Sequence, residues 1–469
     1  MTSSPVPPGP KGHPIRGNFP EYVLDQLGYL ERAANDYGDV VRLRFFNIPV
    51  YIFNNPRDVE DILVTNNRSF KKPLDFRLPL FRGIFGNGLL TSEGDFWRRE
   101  RRLAQPAFHR DRIAEYGNVM VAYANRMIDS WQDGGTIDIH REMMVLTLRI
   151  ALKTLFNVEA EEDVALMSSL SNDLIEMFSL QESTMWPLHN YLPTPSGLRF
   201  RRLTRQLSQY IYGIISRRRG SEDSGDLLSM LLQAQDEDGS RMSDVQLRDE
   251  VMTLFLAGHE TTALSLSWTL YLLSEHPEIE SKLTNQLESV LGAGDPSVSD
   301  LPNLRFTEAV VKESLRLYPP AWAFGRQAVQ ECQIGGYSVP KGRQAFFFPW
   351  VIHRDPRYFD SPNEFRPERW NDEKLKQLPK YAYLPFGGGP RICIGNAFAM
   401  MESTMVLASI ARRFNVSLAP GQKVEPWPVF TLRPRYGIKL VLQEKKHSLS
   451  QTGASGVTRR AESRPVLAV

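Results

Sequence analysis

The chain has 469 residues, 42% of them hydrophobic and 10% aromatic, enough to bury an extensive core and enclose a cofactor. Its 56 basic and 54 acidic residues leave a formal charge of +2, too near neutral for nucleic acid to be the main partner. Cys332 and Cys393 are the whole cysteine complement, so there is no disulfide framework, and a reducing compartment is the simpler assumption.

The first residues carry neither an apolar run long enough to span a bilayer nor a signal-peptide core, so a soluble, cytoplasmic protein without an integral membrane anchor is expected. Prolines through residues 1–20 read as an extended lead-in, because ring-fixed φ angles oppose a helix there. Residues 40–53 alternate and are β-branched, with a break at 47–49, which predicts a hairpin. Helical periodicity follows at 57–66, 95–104, 112–131, 161–180 and 198–218. The polar stretch 217–226 reads as a surface loop between helices. Residues 243–277 form one long predicted helix, opened by capping residues and stopped at Pro277. A second extended region spans 332–348, punctuated by GG and PKG. Residues 21–446 are read as a single catalytic domain, mainly α with minor β. The tail 447–469 has too little apolar surface to offset ordering entropy and is expected to be disordered.

The most informative segment is FGGGPRICIG, residues 386–395. A thiolate that binds metal must be deprotonated, shielded from water and approached closely by backbone N–H groups. Three consecutive glycines permit the bend, Phe386 can cover the sulfur, and Cys393 stands just before a helical stretch whose N-terminus favours an anion. The pattern, with Arg391 two residues before the cysteine and Gly395 two after it, resembles the haem-ligand loop of the cytochromes P-450. Further motifs extend the resemblance from the proline lead-in to about residue 446. It implies a helix-rich fold around a buried haem b with small sheets, Cys393 as the axial ligand of the iron, and Phe386, Arg391 and Gly395 around the cofactor.

The same resemblance assigns roles elsewhere. AGHETT, residues 257–262, interrupts an apolar helix with small and polar residues, which costs stability unless something needs the space. In the family this segment faces the iron from the side opposite the cysteine. Ala257 and Gly258 would leave room there, and Glu260 with Thr261 would help deliver protons to dioxygen. His259 lacks spaced partners of a metal site and reads as a packed histidine. In WRRER, Trp97 and Arg101 share a helical face and match the propionate-binding helix, with Arg326 and Arg391 as further matches. Glu313, Arg316 and Arg369 match a buried structural network, with Trp370 where many members have Phe. Cys332, without glycine bends or basic neighbours, reads as structural.

The implied activity is monooxygenation of an apolar small molecule: a fatty acid, terpenoid, steroid or polyketide. Phe76, Thr253, Leu256, Ala321, Ala323 and Phe430 are the expected substrate contacts. The acid–alcohol pair disfavours a peroxide-driven or isomerising enzyme of the same fold, and the lack of an output domain disfavours a haem carrier or sensor. With no flavin or iron–sulfur unit visible, electrons are expected from a separate ferredoxin or flavodoxin. Arg98, Arg99 and Arg102, read as solvated, would offer it a basic docking face.

Overall fold

The computed structural model describes residues 5–73, 76, 79–159, 161–182, 194–219, 225–236 and 239–445. The expected disordered tail, and residues 220–224 of the expected loop, lie outside them. The molecule is mainly helical, with its strands confined to small sheets.

One helix, Asp244–Glu275, organises the whole. Ser243 caps it, as the capping-type residues at its start lead one to expect, and the structure adds a reciprocal box with Gln246. Nearly all of its residues are buried, so it runs through the interior and not across a surface. On one side it packs with Ile139–Phe156 and Pro195–Arg218. On the other it meets Arg305–Leu317 and the helix that follows Cys393, Asn396–Arg413. Trp268, wholly buried, ties it to the C-terminal strands by donating to the carbonyl of Leu432 at 2.9 Å.

The predicted hairpin is present as Val40–Phe45 and Ile48–Phe53, turning at Phe46 and Asn47. The turn is tighter than the expected break, and Pro49 lies inside the second strand. That strand continues the sheet in parallel with Gln344–Phe347, which pairs in turn with Phe324–Ala328. Arg326, 274 positions after Ile52, thereby reaches the same sheet.

Three boundaries need correction. The lead-in does not run extended to residue 20: a helix spans Phe19–Leu24, with Pro20 in its first turn, where a missing N–H breaks no intrahelical bond. Before it, the chain lies along the hairpin, the amide of Arg42 donating to the Pro8 carbonyl at 2.7 Å. The helix expected at 57–66 is Pro56–Glu60 followed by a wider turn at Asp61–Thr65. The expected helix at 198–218 begins earlier, at Pro195, where Thr194 caps the backbone of Gly197.

Candidate active site

Cys393 faces a cavity of about 370 Å³ between the central helix and the glycine loop. The loop closes on itself through the Cys393 amide, which donates to the Phe386 carbonyl at 3.0 Å. Gly389 takes φ +64°, and a Cβ there would sit 2.1 Å from the carbonyl oxygen of Leu63, so no larger residue fits. Burial pushes the Cys393 thiol above its ordinary value, while the Gly395 amide and Arg101 oppose the shift. A bound metal would take the thiol proton's place and favour the thiolate.

The central helix forms the opposite wall with Leu256, Ala257, Gly258, Glu260, Thr261 and Thr262. Gly258 has nothing within 4 Å of a Cβ position, which keeps the wall open at that point. The Thr261 hydroxyl donates to the Ala257 carbonyl at 2.7 Å, leaving its oxygen lone pairs toward the cavity. Glu260 accepts from Thr431 Oγ1 at 2.6 Å and from Arg433 Nε at 2.9 Å. Burial alone would raise the Glu260 carboxyl, but Arg433 and Thr431 outweigh it and hold it below the usual range. Glu260 is thereby favoured in its ionised form, with Thr431 and Arg433 as its donors. Its partners, more than 170 positions away, have no counterpart in the AGHETT motif. His259 is buried and packed, its Nδ1 3.1 Å from the Phe255 carbonyl.

At one end of the cavity stand Lys72, Arg326 and Arg391. Arg391 Nη2 donates to Ser92 O at 3.0 Å and to Glu93 at 2.5 Å, and its guanidinium lies 4.2 Å from the Trp97 ring centre. Its Nη1 is buried without any partner. Burial, then Arg391, pushes Arg326 down to about 10, and burial with both arginines drives Lys72 well below its ordinary value. Three basic side chains face one carboxylate, Glu93. The imbalance and the orphaned Nη1 fit two carboxylates of a ligand, as haem carries. Lys72 was not foreseen from the sequence, where KKP offers no signal.

Several expected residues stand elsewhere. Thr253 is not in the cavity wall: it is 4% exposed and its hydroxyl donates to the Asp249 carbonyl at 2.8 Å. Trp97 and Arg101 also lie outside the cavity, in a surface groove behind the cysteine loop with Arg98, Arg102, Phe108 and His109. There Arg101 donates to the Ile392 carbonyl at 2.8 Å. Arg99 is no solvated charge: it bridges buried Glu100 at 2.7 Å and Asp236 at 2.8 Å. Phe76, Leu256, Ala321, Ala323 and Phe430 do line the cavity, along with Phe85, Leu90, Leu155, Leu174 and Leu254.

The Glu313 network is fully assembled. Glu313 and Arg316 are both 0% exposed and joined by two bonds of 2.9 and 2.8 Å, and Arg369 Nε reaches the same carboxylate at 2.8 Å. Trp370 Nε1 also donates to it, at 3.0 Å, so tryptophan supplies a bond that phenylalanine would lack. Cys332 sits half-buried on a short strand.

A cysteine in a glycine loop, opposite a helix opened by small residues and beside a cluster of unbalanced cations, defines a haem-thiolate oxygenase. The chain matches the family Cytochrome P450 over residues 7–449 and belongs to that family. Its cofactor is haem, and it is an oxidoreductase that incorporates oxygen from O2.

Among individual relatives it is 38% identical to cyclooctatin synthase of Streptomyces melanosporofaciens, covering 90% of this chain and 92% of that one. It is 37% identical to cyclooctat-9-en-7-ol 5-monooxygenase of the same organism, over 82% and 84% of the two chains. Pentalenene oxygenase of Streptomyces avermitilis is 33% identical, over 90% and 94%. No described helix is long and apolar enough to cross a membrane.

Proposed function

We propose that this monooxygenase hydroxylates a neutral cyclic terpenoid and receives electrons from a separate ferredoxin or flavodoxin. One observation carries the substrate reading. Among the described residues, the cavity's cations are gathered at the Arg391 end, and the wall formed by Phe85, Leu90, Leu155, Leu174, Leu254 and Phe430 has no charge. A fatty acid would bring a carboxylate that this wall cannot pair, at a cost of several kcal/mol. A compact hydrocarbon or alcohol meets no such cost. The relatives named for pentalenene and cyclooctat-9-en-7-ol support the same class.

When bound, haem supplies the activation of dioxygen, by which one oxygen atom enters the substrate and the other leaves as water. The chain's residues do the rest. Cys393 would ligate the iron, and Lys72, Arg326 and Arg391 would hold the propionates. The aromatic and aliphatic wall binds substrate and excludes water. The Thr261 hydroxyl oxygen, beside the Glu260 carboxylate, would accept from and position a water at the open stretch of helix, and that water would carry protons inward.

The test is spectral titration of the holoenzyme with cyclic terpene hydrocarbons and alcohols against straight-chain fatty acids of equal carbon number. Terpenes should bind the more tightly. Tighter binding of the fatty acids would overturn the reading.

A further inference from the structure

The turn between Phe85 and Gly94 does three things at once. Leu90 forms part of the cavity wall, and Ser92 with Glu93 holds Arg391. Its own backbone is fastened to the central helix by two carboxylates. The Asn87 amide donates to Asp249 Oδ2 at 2.7 Å, and the Leu89 amide donates to Glu250 Oε2 at 3.0 Å. The approach is close enough that a Cβ on Gly88 would stand 2.3 Å from Thr253 Oγ1 and 2.5 Å from the Asp249 carbonyl. This is what occupies Thr253, the residue expected to touch substrate.

The carboxylates beneath the turn are crowded. Glu250 is 1% exposed, and Glu100 on the helix Gly94–Ala104 is 0% exposed, with an Oε2 that is buried and has no partner. Arg99 answers Glu100, though Asp236 shares it, and Arg248 answers Asp249 at 2.8 Å. The short helix Leu227–Gln233, packed against both supporting helices, brings no ionisable group, and its cap Asp226 pairs with Arg218. No cation among the described residues is paired with Glu250.

We propose that Glu250, with Glu100 as its neighbour, is a positioning residue of the oxygenase: protonated, it latches the turn 86–92 onto the central helix and so sets the cavity wall at Leu90. When Glu250 loses its proton, a second buried negative charge faces Glu100 and Asp249, and relief comes by letting water in under the turn. Burial, Glu100 and Asp249 push Glu250 up to about 8 against the Leu89 amide, so the change falls just above neutral pH. The sign follows from linkage. The folded value lies above the unfolded one, so the stability contributed is complete at acid pH and is lost as pH rises through about 8.

The consequence for substrate rests on the cavity being the substrate site, so two readouts are needed. Hydrogen exchange of the holoenzyme, corrected for intrinsic rates, reads the turn directly at about pH 7 and about pH 9. Protection of the peptide spanning residues 86–92 should fall at the higher pH in the wild type. It should persist in Glu250→Gln, whose amide oxygen still accepts from Leu89, and be lost at both pH values in Glu250→Ala. Glu100→Gln, which removes a neighbouring charge that raises Glu250, should move the loss to lower pH and make it smaller. Spectral titration with a phenyl-substituted imidazole reads the cavity: its dissociation constant should rise several-fold with pH in the wild type and stay level in Glu250→Gln. A turn equally protected at both pH values, or a Glu250→Gln protein that loosens like the wild type, would overturn the latch. A turn that loosens while imidazole affinity stays constant would overturn its role in positioning. Neither result depends on which substrate class binds.

Discussion

At Thr261 the donor hydrogen is engaged with the Ala257 carbonyl and only the oxygen faces the cavity. Alanine in its place keeps the helix, because Ala has the best helix propensity and the lost bond is local. Thr261→Ala should therefore retain haem and substrate affinity. Water at the open helix face would lose its anchor, so more peroxide should leave and product per electron should fall several-fold. Assaying product, peroxide and reductant together decides it, and unchanged coupling would remove Thr261 from the mechanism. Cys393 carries a simpler expectation. Cys393→His should abolish the red-shifted band that thiolate ligation gives the reduced protein under carbon monoxide, and persistence of that band would refute the assignment. At Trp370 the indole N–H donates to a buried, charged carboxylate. Trp370→Phe should cost about 2 kcal/mol of stability by chemical denaturation without changing that spectrum.

Elements are joined here by charges as much as by apolar contact. The hairpin Pro426–Pro428 with Leu432–Pro434 is held to the central helix by the Arg433–Glu260 pair, with Arg433 Nη2 at 2.8 Å. Glu260 sits below its usual range, so its contribution is present above the unfolded value and is lost as pH falls through the folded one. Arg433→Met leaves the carboxylate buried and unpaired, at a cost of about 3 kcal/mol near neutral pH. Burial then acts with only Thr431 and His259 against it, and the pH dependence should invert, the variant losing stability as pH rises. Melting temperatures across pH for both proteins test this, and parallel curves would show that Arg433 does not set the charge of Glu260. Glu260→Gln combined with Arg433→Met should abolish the inverted slope.

For the whole molecule, the groove beside the start of the helix that follows Cys393 presents Arg98, Arg101, Arg102 and His109 beside Trp97 and Phe108. An acidic electron donor fits that mixture of charge and apolar contact. Reduction by a ferredoxin should slow as salt rises, and Arg98→Glu should slow it several-fold with a weaker salt dependence. Arg99→Glu should behave differently. It would place a third acid beside Glu100 and Asp236, lowering stability more than it alters docking. A reduction rate indifferent to ionic strength would rule out electrostatic docking on this face.

The cysteine loop, the central helix and the Glu313–Arg316 pair were legible in the sequence because their determinants are local, whereas Arg369, far along the chain from Glu313, entered only through the family resemblance. A glycine bend, a capping box and an i,i+3 pair depend on residues within a few positions of one another. The length and period of the apolar helices likewise announced a mainly helical fold. Partners far apart in the chain were not legible. Nothing near Glu260 indicates that Arg433 will hold it ionised, nothing in KKP places Lys72 beside Arg326 and Arg391, and the run of arginines at 98–102 gives no sign that Arg99 turns inward to Asp236. Thr253 follows the same rule, since the close approach of the turn at Gly88 decides which way that wall faces. Burial and long-range charge pairing belong to the packed molecule: the cost of desolvating a carboxylate, and the cation that offsets it, exist only once distant segments have closed around the site.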